Sequence, residues 1–346
     1  MASPTSTVLS ASRAGPVCQV NTPPAQKPRS RPQAGPDGRA KEHTQSAFRG
    51  TLYDVFPLGG VDYRSLLELR LQWYQGQVKH HVTCESSTSF YNRPLDRLEE
   101  ESDFKVPEHV SFGDAHVYQY TDNERADYDA HQRYLELCDV LPSALHTKLN
   151  QPPNDGDYVL IGDVDHMVKS SALQQAQHLL RSKENPNGAC VVMFRLQELM
   201  FLPVMSLQHC GPRQVASTTS KNKPGDRPVY VDGPLLTTYG VLKQYSVSAL
   251  FRVRRTYPVV YQAGYHCRYF APDVESISRL MYGTLPSSLQ RHDCLGRATL
   301  TRVIRNEEPP CVQPGTWLCH SSEAELEQQG QDQRLHLWQL WKLQND

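Results

Sequence analysis

Apolar and polar positions along the chain fall into short runs that switch between a period of two and a period near 3.6. Residues 51–56 have the β-rich composition of a first strand, and residues 65–71 have the apolar density of a helix packed against it. Residues 78–84 read as a second strand that delivers Cys84, Glu85 and Ser86 to its tip. Strand, helix and strand in that order predict a parallel pair with a helical crossover, the unit of a doubly wound α/β sheet. A polar helix over 122–141 follows, and the Pro- and Gly-containing turn at 152–156 leads into the apolar strand Tyr158-Val159-Leu160-Ile161.

Beyond that strand, Ser170 or Ser171 is expected to cap a helix over 172–181, with a turn at 185–188 and a strand over 189–196. Residues 206–234 are rich in Gly, Pro, Ser, Thr and Lys and read as a long loop, either an active-site lid or a plain insertion. A strand is expected over 253–261 and a helix over 273–281, capped by Pro272 and early acids. A last helix over 321–343 places Leu337, Trp338 and Trp341 on one face, which is expected to dock on the domain.

Composition alters this picture mainly at the start. Residues 1–47 hold seven prolines and few aliphatic clusters, too little apolar surface to offset the entropy of ordering. They read as a basic, Pro- and Ser-rich disordered tail, or as an organellar transit peptide. The domain is expected over 48–318, with the C-terminal helix in 319–346. A net charge of −1 argues against nucleic-acid binding, which normally leaves a strong positive imbalance. No run approaches 18 uninterrupted apolar residues, so no membrane span is predicted. The nine cysteines include no C-x-x-C pair, which argues against structural zinc, and Cys267 is expected to be packed or disulfide-bonded.

The sharpest chemical signal is the apolar strand that runs into Gly162-Asp163-Val164-Asp165-His166. It places two carboxylates, spaced i and i+2, at the C-terminal edge of a sheet, where open α/β sheets bind ligands. Two such acids can grip a hard divalent cation and leave positions for phosphate oxygens and water. They can also cap the next helix with no further role.

Four motifs in order, Cys84-Glu85-Ser86, Arg93-Pro94-Leu95, Gly162-Asp163-Val164-Asp165-His166 and Ala263-Gly264-Tyr265-His266-Cys267, resemble glycosyltransferase family 17. The resemblance spans roughly residues 50–310. His166 stands where that family usually has Glu, and Tyr265 where it usually has Trp. The family transfers N-acetylglucosamine in β-1,4 linkage to the mannose of an N-glycan core. The resemblance therefore implies a GT-A-like nucleotide-sugar-binding domain with a mostly parallel, doubly wound sheet. It implies UDP-N-acetylglucosamine as donor, manganese or magnesium as cofactor, an N-glycan or other glycan as acceptor, and residence in the Golgi or secretory lumen.

With that resemblance, Asp163 and Asp165 are expected to hold the metal against the diphosphate, and Asp165 to serve catalysis through it. His266 is either a third metal ligand or a structural histidine. Glu85 either contacts uridine or ribose or caps the following turn. Arg133 either reaches a phosphate or is a solvated helix charge, and the same choice holds for Arg254 and Arg255. Asp273 is the candidate general base. Two other readings remain: a non-catalytic nucleotide- or glycan-binding relative, suggested by His166, and a haloacid-dehalogenase-type phosphatase. The phosphatase needs a downstream Lys and an acidic pair, and no strand after residue 190 leads into a Gly-Asp or Asp-Asp pair.

Overall fold

The computed structural model describes residues 50–89, 94–114, 126–182, 190–202, 205–209, 227–284, 296–305, 317–320, 323–328 and 332–345. The expected tail at 1–47, Arg93, the turn at 185–188 and the middle of the 206–234 stretch lie outside these residues.

The fold is mixed α/β. Strand β1 (Leu52–Leu58) is buried along its whole length, as expected of a central strand covered on both faces. Helix α1 (Arg64–Trp73) crosses to β2 (His80–Glu85), which pairs with β1 in parallel, and β3 (Val110–Phe112) extends the same edge. Helix α2 (Ala126–Thr147) returns the chain to β4 (Tyr158–Ile161), parallel to β1 on its other side. Then come β5 (His166–Val168), α3 (Ser170–Arg181) and the ten-residue β6 (Val191–Met200).

The stretch expected to be one long loop begins and ends as strands: β7 (Met205–His209), β8 (Arg227–Pro228) and β9 (Tyr230–Thr238). Strand β9 lies between β4 and β6 and runs antiparallel to both. Helices α4 (Tyr239–Leu242) and α5 (Val247–Arg252) follow, then β10 (Val259–Val260) and β11 (Gly264–Arg268). Helix α6 (Val274–Thr284), a helix at Arg297–Ile304, β12 (Trp317–His320) and helices at Glu323–Gln328 and Asp332–Asn345 complete the order. The main path through the sheet is β12-β7-β6-β9-β4-β1-β2-β3. Among the described strands only β5, β7 and β9 run against the common direction, so the sheet is mostly parallel.

Period-two alternation sorts the side chains onto two faces. Leu52, Phe56, Tyr158 and Leu160 pack with Leu66, Leu69 and Trp73 of α1, Leu173 of α3 and Leu337 and Trp341 of the last helix. Tyr53, Val55, Val159 and Ile161 face Leu137, Cys138 and Leu141 of α2 and Val247 and Leu250 of α5. At roughly 1.5–3 kcal/mol per fully buried Leu or Phe side chain, these faces dominate the favourable side of folding.

Three expectations change. Helix α3 starts at Ser170 itself; the residue before it, Lys169, makes no side-chain cap, and Ser170 Oγ donates to Gln77 Oε1 at 2.6 Å. The strand expected over 253–261 shrinks to Val259–Val260, because Arg254–Thr256 forms a 3₁₀ turn and Pro258 lacks a ladder donor. Within the helix expected over 321–343 the described residues form Glu323–Gln328 and Asp332–Asn345, with 329–331 outside them.

Gly264 is a close-approach glycine. A Cβ there would fall on the Met167 carbonyl oxygen across the β5–β11 pair. Gly264→Ala should therefore destabilise the protein by about 2–3 kcal/mol, read as a lowered urea midpoint at unchanged slope.

Candidate metal centre and cleft

Strand β4 ends at Ile161, and the chain turns through Gly162–Asp165 into β5. Strand β11 then lies between β5 and β6, and the registers oppose His266 to His166 on one side and to Glu198 on the other. Residues about 100 apart in sequence thus meet at the C-terminal edge of the sheet. His266 Nε2 lies 3.1 Å from Asp165 Oδ2, and the two imidazole rings are edge to face with centroids 5.1 Å apart. The ligand atoms of Asp165, His166 and His266 lie within 4.8 Å of one another; Asp163 stands outside this group.

The turn is held on every side. Arg70 of α1 donates Nη1 to the carbonyls of Asp163 (2.9 Å), Val164 (3.3 Å) and His166 (2.6 Å). Its Nε and Nη2 each bond the Asp54 carboxylate at 2.7 Å, and His81 Nδ1 reaches the same carboxylate at 2.8 Å. Asp54, Arg70 and His81 are all buried. Tyr74 donates its hydroxyl to the His166 carbonyl and accepts the Val168 amide, while the Cys267 amide donates to the Asp165 carbonyl. The backbone that carries both aspartates is therefore fixed before any ligand arrives, which is the preorganisation that binding chemistry requires.

Electrostatics separates the two acids. Burial works to raise the Asp165 carboxyl, but the charge and hydrogen bond of His266, with His166 and Arg268 nearby, hold it below the usual carboxylate range. Asp163 moves the other way, raised by burial and then by the charge of Asp165, although its side chain keeps 37 % exposure and solvent tempers the effect. Burial pushes the His166 imidazole down to about 3, against the pull of Asp165, so this ring is neutral near pH 7. Burial also opposes charge on His266, but Asp165 outweighs it and raises that imidazole.

A cleft of about 390 Å³ opens over this edge, within the range of small-molecule sites. Asp163, Asp165 and His266 line it, with Ser86, Thr88 and Ser89 beyond β2 and the pairs Asp62–Arg279 and Glu198–Arg268. The residues present fit a divalent cation. Asp165 Oδ1 is buried with no hydrogen-bond partner among the described residues, and the 3.1 Å separation of Asp165 Oδ2 and His266 Nε2 suits adjacent ligands on one ion.

The other expected site residues stand apart. Both carboxylate oxygens of Glu85 accept backbone amides, from Leu98 at 3.0 Å and Glu99 at 3.1 Å, so this acid holds the 3₁₀ turn Leu98–Glu100. Asp273 accepts the amides of Glu275 and Ser276 and the Ser276 hydroxyl, and it does not line the cleft; it caps α6. Asp273→Ala should cost about 1 kcal/mol of stability in denaturant titration and leave manganese uptake unchanged. Arg133 falls in α2, but its side chain lies outside the described residues. Arg254 and Arg255 face Asp232 at 3.9 and 3.6 Å, away from the aspartate turn. Cys267 is a buried free thiol.

Arg70, Tyr134, Glu198 and Arg268 also belong to the site, and none of them falls in the motifs that mark it in the sequence. Tyr134 hydrogen-bonds Asp163. For Arg70 there was a usable signal: Asp54 interrupts an apolar strand, and a buried charge requires a partner.

Fold and site together define a mixed α/β protein with a carboxylate–imidazole centre and a cleft at the C-terminal edge of its sheet. Compared with known proteins, the chain matches no protein-family model and no curated sequence.

Proposed function

We propose that this protein is a metal-dependent, inverting glycosyltransferase of the GT-A kind, transferring N-acetylglucosamine from UDP-N-acetylglucosamine to the β-linked mannose of an N-glycan core. The observation that carries the proposal is the aspartate turn at the tip of β4, with His266 3.1 Å from Asp165 and a cleft above it. The strand order β3-β2-β1-β4-β9-β6, with β9 the reversed member, supports the GT-A reading. The four ordered motifs of family 17 supply the donor and acceptor classes.

Asp165 and His266 would hold a manganese or magnesium ion, with Asp163 beside them on the cleft wall. Such an ion supplies charge to offset that developing on the leaving diphosphate. The chain's own groups do the rest. Arg268 and Arg279, each paired with an acid (Glu198 and Asp62), line the cleft and would be the cations nearest to incoming phosphate oxygens. Ser86, Thr88 and Ser89 offer hydroxyls to a sugar or ribose. Of the remaining cleft carboxylates, Glu198 is fully buried against Arg268, so Asp62 is the better placed to accept the acceptor hydroxyl's proton.

Cys190 is disulfide-bonded, which supports placing the protein in the oxidising secretory lumen or Golgi. No helix among the described residues is long and apolar enough to cross a membrane. The test is incubation with UDP-N-acetylglucosamine, manganese and a panel of N-glycan acceptors. The expected result is a product heavier by one N-acetylhexosamine. Manganese-assisted UDP binding with no product on any acceptor would favour a non-catalytic relative, and phosphate release from small esters would favour the phosphatase.

A further inference from the structure

His166 is one of three residues whose ligand atoms cluster, and proximity alone would make it a metal ligand. Its hydrogen bonding argues otherwise. The Asp163 backbone amide donates to His166 Nδ1 at 3.1 Å. A backbone N–H can only donate, so Nδ1 presents its lone pair and the ring proton of the neutral imidazole sits on Nε2. Nε2 in turn faces both acids, 3.7 Å from Asp163 Oδ2 and 4.0 Å from Asp165 Oδ1. These separations are longer than hydrogen bonds, so the ring is aimed at both carboxylates without being tied to either.

Ligation through Nε2 would move the proton to Nδ1 and point it at the Asp163 amide hydrogen. Metal-bound histidines do the reverse and donate their second nitrogen to an acceptor. His266 meets no such obstacle, since its Nδ1 faces no backbone donor among the described residues. The backbone completes the pattern at His166: its own amide donates to the Asp163 carbonyl at 3.1 Å, so residues 163 and 166 close the turn reciprocally, main chain one way and ring the other. Gly162 leaves room for this, because a Cβ there would come within 3.0 Å of His166 Nδ1.

We infer that His166 is a positioning residue that clamps the Asp163–His166 turn through Nδ1 and is not itself a metal ligand. The inference rests on the metal part of the proposed function and is independent of sugar transfer.

Asparagine and glutamine separate the two roles, because the Asn carbonyl oxygen occupies the place of Nδ1 and that of Gln the place of Nε2. The full chain and its His166→Asn, His166→Gln and His166→Ala variants are titrated with manganese alone, following free ion by electron paramagnetic resonance. Amide hydrogen exchange of peptides covering 158–168 is measured on the same samples without metal. The clamp predicts that His166→Asn keeps affinity within about threefold and exchanges slowly, whereas His166→Gln and His166→Ala lose roughly tenfold and exchange faster. Retained affinity in His166→Gln with loss in His166→Asn would make Nε2 a ligand and overturn the inference. Equal loss in all three variants, or no change in any, overturns it as well. If the unaltered chain takes up no manganese, the metal centre fails, while the exchange pattern still decides for or against the clamp.

Discussion

Under the proposed transferase function, replacing Asp165 with Ala should lower sugar transfer by roughly three powers of ten, about 4 kcal/mol of transition-state stabilisation. Asp165 is the acid that His266 approaches at 3.1 Å, and one of its oxygens is buried without a partner among the described residues. Removing it takes away an ion ligand and leaves the His266 imidazole facing an emptied, partly buried position. Asp163 is more exposed, and its carboxylate already accepts a hydrogen bond from Tyr134. Asp163→Ala is therefore expected to be the milder of the two. Steady-state rates at saturating donor, with manganese varied, check the ranking: the Asp165 variant should not recover at high metal, and the Asp163 variant should recover in part.

The second large effect concerns stability. Arg70→Met should destabilise the fold by about 3–5 kcal/mol, the cost of stripping one partner from a buried ion pair. With typical domain stabilities of about 5–15 kcal/mol, that is a large fraction of the total. The loss has two parts: the buried Asp54 carboxylate loses its guanidinium partner and keeps only His81, and the carbonyls of Asp163, Val164 and His166 lose their common donor. A second change, Asp54→Leu, removes the stranded charge but not the loss at the carbonyls. The double variant should thus regain stability in urea titration while metal affinity stays low, which separates the two contributions. Arg70→Lys should not rescue either, since an ammonium cannot span both Asp54 oxygens and the turn.

The same triad sets an acid limit. Burial acts to raise the Asp54 carboxyl, but Arg70 and His81 more than reverse it, so the group titrates lower folded than unfolded. As pH falls, the unfolded chain takes up this proton first. The stabilisation is therefore complete above the unfolded carboxyl range near pH 4 and is lost as pH drops through the lowered folded value. Urea midpoints measured from pH 6 downward should decline more steeply for the unaltered chain than for Arg70→Met/Asp54→Leu.

Elements with strong local signals were legible in the sequence. The β1–α1–β2 crossover and β4 with its two aspartates lie where apolar runs and turn residues put them. What sequence could not disclose depends on pairings between distant segments. Residues of the 206–234 stretch carry turn-forming composition, yet Tyr230–Thr238 becomes a strand because it fills the gap between β4 and β6. His266 was a candidate from its motif, but its opposition to His166 follows from the β5–β11 register. Arg70 sits in a Leu-rich helix that reads as ordinary amphipathic pattern, and only the position of Asp54 across the α1–β1 contact explains its burial. Asp273 and Glu85 both meet backbone amides at element ends, Glu85 in the turn-capping role that its sequence position also allowed.

Calorimetric titration of UDP into the full chain, with manganese and then with excess chelator, decides whether the aspartate turn binds a diphosphate through an ion. Binding should be at least about tenfold tighter with manganese, a difference of roughly 1.4 kcal/mol or more, and Asp165→Ala should lose that gain. Equal affinity with and without the ion, or no uptake of UDP in either case, would contradict ion-mediated binding.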